Sequence, residues 1–425
     1  METDTFQPLQ GMSDIAAPEI HAWQHLEAAA REVLQRYCFT EVRTPVLERV
    51  EVFERSLGRA TDVVQKEMYR FEDRGGRRLA LRPEGTAGVI RHLCGRVQEA
   101  RDARVYYVGP MFRSERPQAG RRRQFHQLGV EAIAPPRPAA DAEVIALQID
   151  LLRAWGVQEF RLECNTRGAP GDHERVATEL RTRLTAHQSA LCPDCRRRLQ
   201  ANPLRVLDCK NERCREVVDT LPPVTEWLSP DARTYFEQVQ ALLERLEIPV
   251  VCNPRLVRGL DYYAHTVWEV SHTGLGSQDA LSGGGRYQLT FGKQTLEGVG
   301  FAVGLERVWA ALQAQGRQAA EWAPVPRVYL VAQGTAAFEE NLLLMQSLRM
   351  RGVPCAMEVQ GRSLKAQMRA ANRSGSTYVV VRGDAEMEQG TFQLKRMKDG
   401  HQQELDLPSL MNILCRPLAS AEEER

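Results

Sequence analysis

Long apolar runs are missing from this 425-residue chain. No stretch approaches the roughly 18 uninterrupted apolar residues of a membrane-spanning helix, which excludes that class. The opening residues, METDTFQPLQGMSDIAAPE, lack a basic start followed by an apolar segment, so no secretory signal is expected. Cysteine is sparse, ten in all and mostly isolated, which argues against a disulfide scaffold and for a reducing cytoplasm. Neither sign of charge is in excess. With a formal net charge of +1, any nucleic-acid partner must be held by local basic patches rather than by an overall field. Internal repeats, low-complexity tracts and a His/Asp cluster spaced for a catalytic metal are all absent. What remains, 43% hydrophobic and 26% charged, is an ordinary globular composition with length for two or three domains.

The pattern along the chain predicts an α+β architecture. Trp23, Leu26, Ala30, Val33, Leu34 and Tyr37 recur at helical spacing, giving a helix over 20–37 whose stripe is core or a subunit contact. Segments rich in β-formers follow at Glu41 to Leu47, Arg77 to Arg82, Arg104 to Phe112 and Gln124 to Ala134, then a helix at 139–155. This irregular order around a central hairpin predicts an antiparallel sheet flanked by helices. Composition turns helical at Arg167 and strand-like again near Val250, so 167–247 reads as a helical insert between 1–166 and 248–315. GRQAAEWAPVP, 316–326, reads as a linker. Residues 327–425 alternate β-α-β-α-β-β, the signature of a small, mainly parallel α/β domain, with a frayed SAEEER tail.

Four segments look chemical. The most informative is GPMFRSERPQAGRRRQFHQLGVE, Gly109 to Glu131, a hairpin with an arginine-rich tip. Strand alternation places Phe125, Gln127 and Glu131 on one face and His126, Leu128 and Val130 on the other. An aromatic, an amide and a carboxylate on one face suit a ligand that is partly planar, partly cationic and partly phosphate. LRPEGT (Leu81 to Thr86) ends an apolar strand with a carboxylate and a hydroxyl on a turn. RGLDYYAHTVWE (Arg258 to Glu269) sets an arginine before two adjacent tyrosines. SGGGRY (Ser282 to Tyr287) and GVGFAVGLERV (Gly298 to Val308) carry glycines that let backbones approach closely.

In this order the segments resemble a bacterial histidyl-tRNA synthetase, a class II aminoacyl-tRNA synthetase, over essentially the whole chain. TPVLE (Thr44 to Glu48) is similar to the family's dimer-forming first motif, the hairpin to the second, and GVGFAVGLERV to the third. RGLDYY and GGGRY are similar to the two segments peculiar to the histidine enzyme. The resemblance implies ATP-dependent attachment of L-histidine to the 3′ end of histidine tRNA through a histidyl-adenylate, in a cytoplasmic homodimer. It implies that Arg113 and Arg258 grip the α-phosphate from two sides, arginine forks suiting phosphate oxygens. It implies Mg²⁺ on the outer phosphates. Phe125 and Arg307 are similar to the family's adenine sandwich. Glu84, Gln127 and Thr86, with Gly85 between them, suit the substrate ammonium. Glu131, Tyr262 and Tyr263 suit the imidazole, and Arg258 borders the same pocket. Arg121, Arg122 and Arg123 are expected at the acceptor end of tRNA, since such a run is a ready phosphate site. His126 points away from the ligand face and reads as structural. The insert is expected over the acceptor arm, and 327–425 on the anticodon stem. The alternative is a non-catalytic paralogue acting as a regulatory or amino-acid-sensing subunit.

Cys192, Cys195, Cys209 and Cys214 form CPDC, thirteen intervening residues, then CKNERC. The first pair has zinc-knuckle spacing and the second is wide, so a closed structural zinc site and four unligated thiols both remain open. The family does not generally require zinc there.

Overall fold

The computed structural model describes residues 6–58, 61–96, 100–117, 120–260 and 262–416. It divides into two compact units, Met1–Trp322 and Ala323–Arg425. The first begins with helix α1 (Glu19–Arg36), which buries Trp23, Leu26, Ala30, Val33 and Leu34 in the main core, as the helical spacing predicts. The strand expected over Glu41 to Leu47 is instead two short ones, β1 (Thr40–Glu41) and β2 (Leu47–Arg49), in different sheets. Pro45, lacking an amide hydrogen, sits where the chain crosses between them. After α2 (Val50–Leu57), strands β3 (Arg70–Glu72) and β4 (Arg78–Leu81) join β2 in an antiparallel sheet ordered β2-β4-β3. Helix α3 (Thr86–Cys94), the hairpin β5 (Arg104–Phe112) and β6 (Gln124–Ile133), helix α4 (Pro138–Ala154) and β7 (Phe160–Thr166) follow.

The helical stretch contains α5 (His173–Thr185), α6 (Pro193–Ala201), α7 (Glu212–Asp219) and α8 (Pro230–Arg245). Residues from Val176 to Ala232 share a hydrophobic core of their own, with Leu180, Leu199 and Trp227 inside it. Helix α8 is divided: its Ala232 packs in this core, whereas Phe236, Val239 and Leu243 belong to the main core. The separately packed part therefore ends before the compositional boundary near 247. Helical periodicity continues through α8 and does not reveal which core its stripe faces.

Strands β8 (Val251–Cys252), β9 (Tyr263–His272), β10 (Ala280–Phe291) and β11 (Gln294–Gly304) complete the large sheet, followed by α9 (Leu305–Ala314). The order is β1-β5-β6-β11-β10-β9-β7-β8, antiparallel except at the edge pairs β1–β5 and β7–β8. This is the antiparallel sheet flanked by helices that the sequence predicts. One face packs Leu128, Val130, Val299, Phe301 and Trp268 against α1, α4, α8 and α9. The segment read as a linker is partly anchored: Ala319 is buried in the main core, and the Trp322 ring stacks on His25 at 4.8 Å. An apolar side chain inside a loop composition outweighed the proline and glycine signals there.

The second unit contains β12 (Val328–Ala332), α10 (Thr335–Met350), β13 (Cys355–Met357), α11 (Leu364–Arg373), β14 (Tyr378–Arg382), α12 (Asp384–Gln389), β15 (Phe392–Arg396), β16 (Gln402–Leu405) and α13 (Leu407–Leu414). Its sheet runs β13-β12-β14-β15-β16, the first three parallel and the last two antiparallel. The SAEEER tail lies outside the described residues. No helix among the described residues is long and apolar enough to cross a membrane.

Candidate active site

The site follows from the strand register. Gln127, Gly129 and Glu131 of β6 pair with Gly109, Tyr107 and Val105 of β5 on one side. On the other they pair with Gly304, Ala302 and Gly300 of β11. Gly300 and Ala302 in turn face Gly285 and Gly283 of β10, and Gly283 faces Glu269 of β9. Directly paired residues share a face, so the side opposite the main core is nearly bare across β10 and β11. Side chains wall this floor, enclosing a cavity of about 470 Å³ lined by Arg113, Phe125, Gln127, Arg258 and Arg307. The alternation expected in β6 holds. His126, on the other face, packs edge-on against Trp23 at 4.8 Å, and both oxygens of Glu306 accept its backbone amide.

Arg113 and Arg258, distant in sequence, line the same cavity. Arg113 Nε donates to Pro83 O at 3.0 Å, and its guanidinium lies 5.3 Å from the Phe125 ring centroid. Arg258 pairs with Glu269, and its guanidinium occupies the space that a β-carbon on Gly283 would take. Only a glycine at 283 leaves the arginine this seat. Arg307 donates to the carbonyls of Gln278, at 3.1 Å, and Ala280. The tip arginines are tied to the protein's own polar groups: Arg121 to Glu115 Oε2 at 2.9 Å, Arg122 to Ser13 Oγ at 3.0 Å, and Arg123 to Glu115 O at 3.2 Å. Arg121 and Arg122 border the cavity; Arg123 does not.

Glu84, Gly85, Thr86, Glu131, Tyr262 and Tyr263 are not on the open cavity wall but in a buried cluster on the same side of the sheet. Glu84 accepts the backbone amides of Thr86 at 2.7 Å and Ala87 at 2.9 Å, capping α3, where a carboxylate meets the positive end of the helix. Burial nevertheless raises its pKa. Gly85 lies against the Tyr107 ring, which a β-carbon there would overlap. The Thr86 hydroxyl donates to Glu131 Oε1 at 2.6 Å. Glu131 is 1% exposed, and burial, with a smaller push from the Glu84 charge, raises its pKa to about 8. Its Oε2 and the Oε1 of Gln127 are buried acceptors with no partner among the described residues. Tyr262 and Tyr263 meet edge-on at 4.7 Å, and Tyr287 stands 5.8 Å from Tyr262.

Sequence reasoning assigned no role to Tyr107, Glu115, Glu269 or Tyr287. Tyr107 was legible from the hairpin register, which sets it opposite Gly129 on the site face. Tyr287 and Glu269 lie inside quoted motifs, but their partners come from other strands. Below the sheet, Asp141 of α4 holds Arg286 at 2.6 Å, both fully buried. Gln148 of the same helix bonds Ser282 and Trp268. This pins β10 and β9 from beneath. Gln288, which follows Tyr287, points to solvent and bonds Glu297 at 3.0 Å, away from the cavity. Apart from this site, Cys192, Cys195, Cys209 and Cys214 bring their sulfurs within 4.8 Å of one another.

Comparison with known proteins places the chain. The family described as histidyl-tRNA synthetase matches residues 11–170 and 173–308, and the anticodon binding domain family matches 327–416. Histidine–tRNA ligase of Halothermothrix orenii is 45% identical over 414 residues, covering 95% of this chain and 97% of that protein. The Synechocystis enzyme of the same name is 44% identical over 410 residues, covering 95% and 91%. The apo Staphylococcus aureus histidyl-tRNA synthetase superposes with a TM-score of 0.81 at 30% identity, covering 96% of this chain and 100% of that one.

Proposed function

The chain belongs to the histidyl-tRNA synthetase family, and we propose that its cavity joins L-histidine to the 3′ end of histidine tRNA through a histidyl-adenylate. In the first step a carboxylate oxygen of histidine bonds to the α-phosphorus of ATP and pyrophosphate leaves. Negative charge grows on the phosphate oxygens, and prepositioned cations lower that barrier. Arg113 and Arg258 supply them, while Phe125 and Arg307 hold the adenine between a ring and a guanidinium. Gln127, with Glu84 and Thr86 behind it, faces the ammonium. Glu131, Tyr262 and Tyr263 read the imidazole, with the open Oε2 acceptor of Glu131 facing it and that of Gln127 left for the ammonium. A magnesium ion carried by the nucleotide takes oxygen ligands, and the carboxylates of Glu115 and Glu269 on the surrounding walls fit that set. It would neutralise charge on the outer phosphates. In the second step the terminal ribose hydroxyl of tRNA attacks the adenylate carbonyl and AMP leaves.

The observation that carries this reading is Arg113, Arg258 and Arg307 on one glycine-floored cavity, beside a buried carboxyl whose pKa burial pushes up to about 8. The regulatory alternative has nothing comparable in its favour. Arg113 and Arg258 line one cavity, and the C-terminal α/β domain is present. In the same reading, 1–166 and 248–315 form the catalytic domain and 167–247 leans over the acceptor arm. The 327–425 domain grips the anticodon stem, and two copies associate in the cytoplasm. Support for pairing comes from Val46, Leu47 and Phe71, apolar yet exposed on or beside the three-stranded sheet. Pyrophosphate exchange measured with each of the twenty amino acids tests the assignment. Histidine should drive it best, and stronger exchange with another amino acid overturns it.

A further inference from the structure

The mechanism above leaves the four clustered thiols unused, and their geometry is that of a ligand set. Cys192 and Cys209 have their sulfurs 3.9 Å apart, and all four sulfurs lie within 4.8 Å of one another. A tetrahedral zinc with bonds near 2.3 Å holds its sulfurs roughly 3.8 Å apart, so the cluster closes on such an ion with small shifts. Backbone amides already point at two of the sulfurs, Cys192 N–H to Cys214 Sγ at 3.2 Å and Cys195 N–H to Cys192 Sγ at 3.5 Å. Such donors stabilise thiolate charge. Cys192 and Cys195 open α6, Cys214 lies in the first turn of α7, and Cys209 sits in the turn between these helices. Four soft sulfur donors, with no carboxylate or imidazole among them, select zinc in a closed structural site.

The segments this cluster ties together reach the catalytic side. Arg198 of α6 donates to Arg205 O at 3.3 Å and pairs with Asp208 at 3.7 Å and Asp62 at 3.8 Å. Arg205 pairs with Asp208 at 3.4 Å, and its Nη1 would lie only 2.9 Å from a β-carbon on Gly259. Asp208, Cys209, Arg258 and Gly259 line one cavity of about 790 Å³ next to the active site. The residue before a thiolate of the cluster thus shares a wall with the residue beside the phosphate-binding arginine.

We propose that Cys192, Cys195, Cys209 and Cys214 bind one zinc ion, and that this ion positions the Arg258–Leu260 loop through Arg205 and Asp208. The second half rests on the catalytic reading of Arg258. Arg205 and Asp208 are positioning residues that act through that loop.

Full-length protein purified without chelator should carry about one zinc per chain, and fewer than about 0.2 overturns the site. Cobalt exchanged for zinc should give thiolate charge-transfer and tetrahedral ligand-field bands, and their absence also overturns it. Cys209→Ser should retain at least about tenfold less zinc at limiting metal, whereas the exposed Cys38→Ser retains it in full. Should Cys209→Ser fail to fold, the wild-type metal and cobalt measurements decide the site unaided. For positioning, amide hydrogen exchange of residues 256–262 is compared before and after zinc removal, with circular dichroism confirming the fold. Faster exchange there, with kcat for pyrophosphate exchange about 3- to 30-fold lower, is expected. Unchanged exchange of that loop in folded, zinc-free protein overturns the positioning role. Because neither metal content nor hydrogen exchange reads catalysis, failure here is distinct from failure of the catalytic reading.

Discussion

Glu131→Gln should stabilise the protein while removing activity, and the stabilisation should grow with pH. Glu131 is buried, accepts one hydroxyl bond from Thr86, and has a pKa raised from an ordinary value near 4.5 to about 8. Because the folded value lies above the unfolded one, its favourable contribution is complete below about pH 4.5 and is lost as pH rises toward about 8. Over that window the folded state holds a proton that the unfolded state has released, so stability falls with increasing pH. Glutamine imitates the neutral acid and does not titrate. Relative to wild type it should gain about 1 kcal/mol at pH 5, about 3 at pH 7 and about 5 at pH 9, as ceilings before any relief by water entering the pocket. Urea or thermal unfolding at these three pH values, read on the first unit, tests the argument. A gap that does not change between pH 5 and pH 9, or a variant less stable than wild type at pH 9, refutes it. The same variant should lose histidine-dependent exchange, because an amide cannot trade a proton with an imidazole. Stability and chemistry are opposed at this position.

Arg258→Ala should lower kcat for adenylate formation by about 10²–10³ with little change in the histidine KM, because its charge answers charge that develops only during transfer. A raised KM alone, in steady-state exchange assays, contradicts that role. Phe125→Ala should raise the KM for ATP by about 5- to 100-fold, the worth of one base stacked on an aromatic ring, without altering the KM for histidine. Asp141→Asn breaks a fully buried pair with Arg286 and should cost about 3–5 kcal/mol in chemical denaturation. A loss under 1 kcal/mol (about the worth of a surface pair) shows the pair to be solvated.

Much of this molecule was legible in the sequence wherever a local period governs the outcome. The hairpin, the β6 alternation and the α1 stripe follow from steps of two and of three to four residues. The glycines of GVGFAVG and SGGGRY are visible as glycines, yet their purpose appears only when β10 and β11 pair and the bare positions coincide. The pairing of Arg258 with Glu269, the use of Glu84 as a helix cap and the main-core allegiance of α8 depend on which surfaces meet. Periodicity does not encode this. The anchored Trp322 illustrates the same limit, since its partners His25 and Trp309 come from elsewhere in the chain.

Strand β11 is read from both sides, with Ala302 and Gly304 lining the cavity and Gly300 making room for Glu131, while Val299, Phe301 and Val303 fill the core. Deleting one codon between Gln294 and Val299 would invert this arrangement, driving Phe301 into the ligand space and leaving voids beneath the sheet. Deleting two would restore it. Tolerance of this strand to insertion and deletion should therefore follow odd and even counts rather than length, and a single lesion there should abolish substrate binding and folding together.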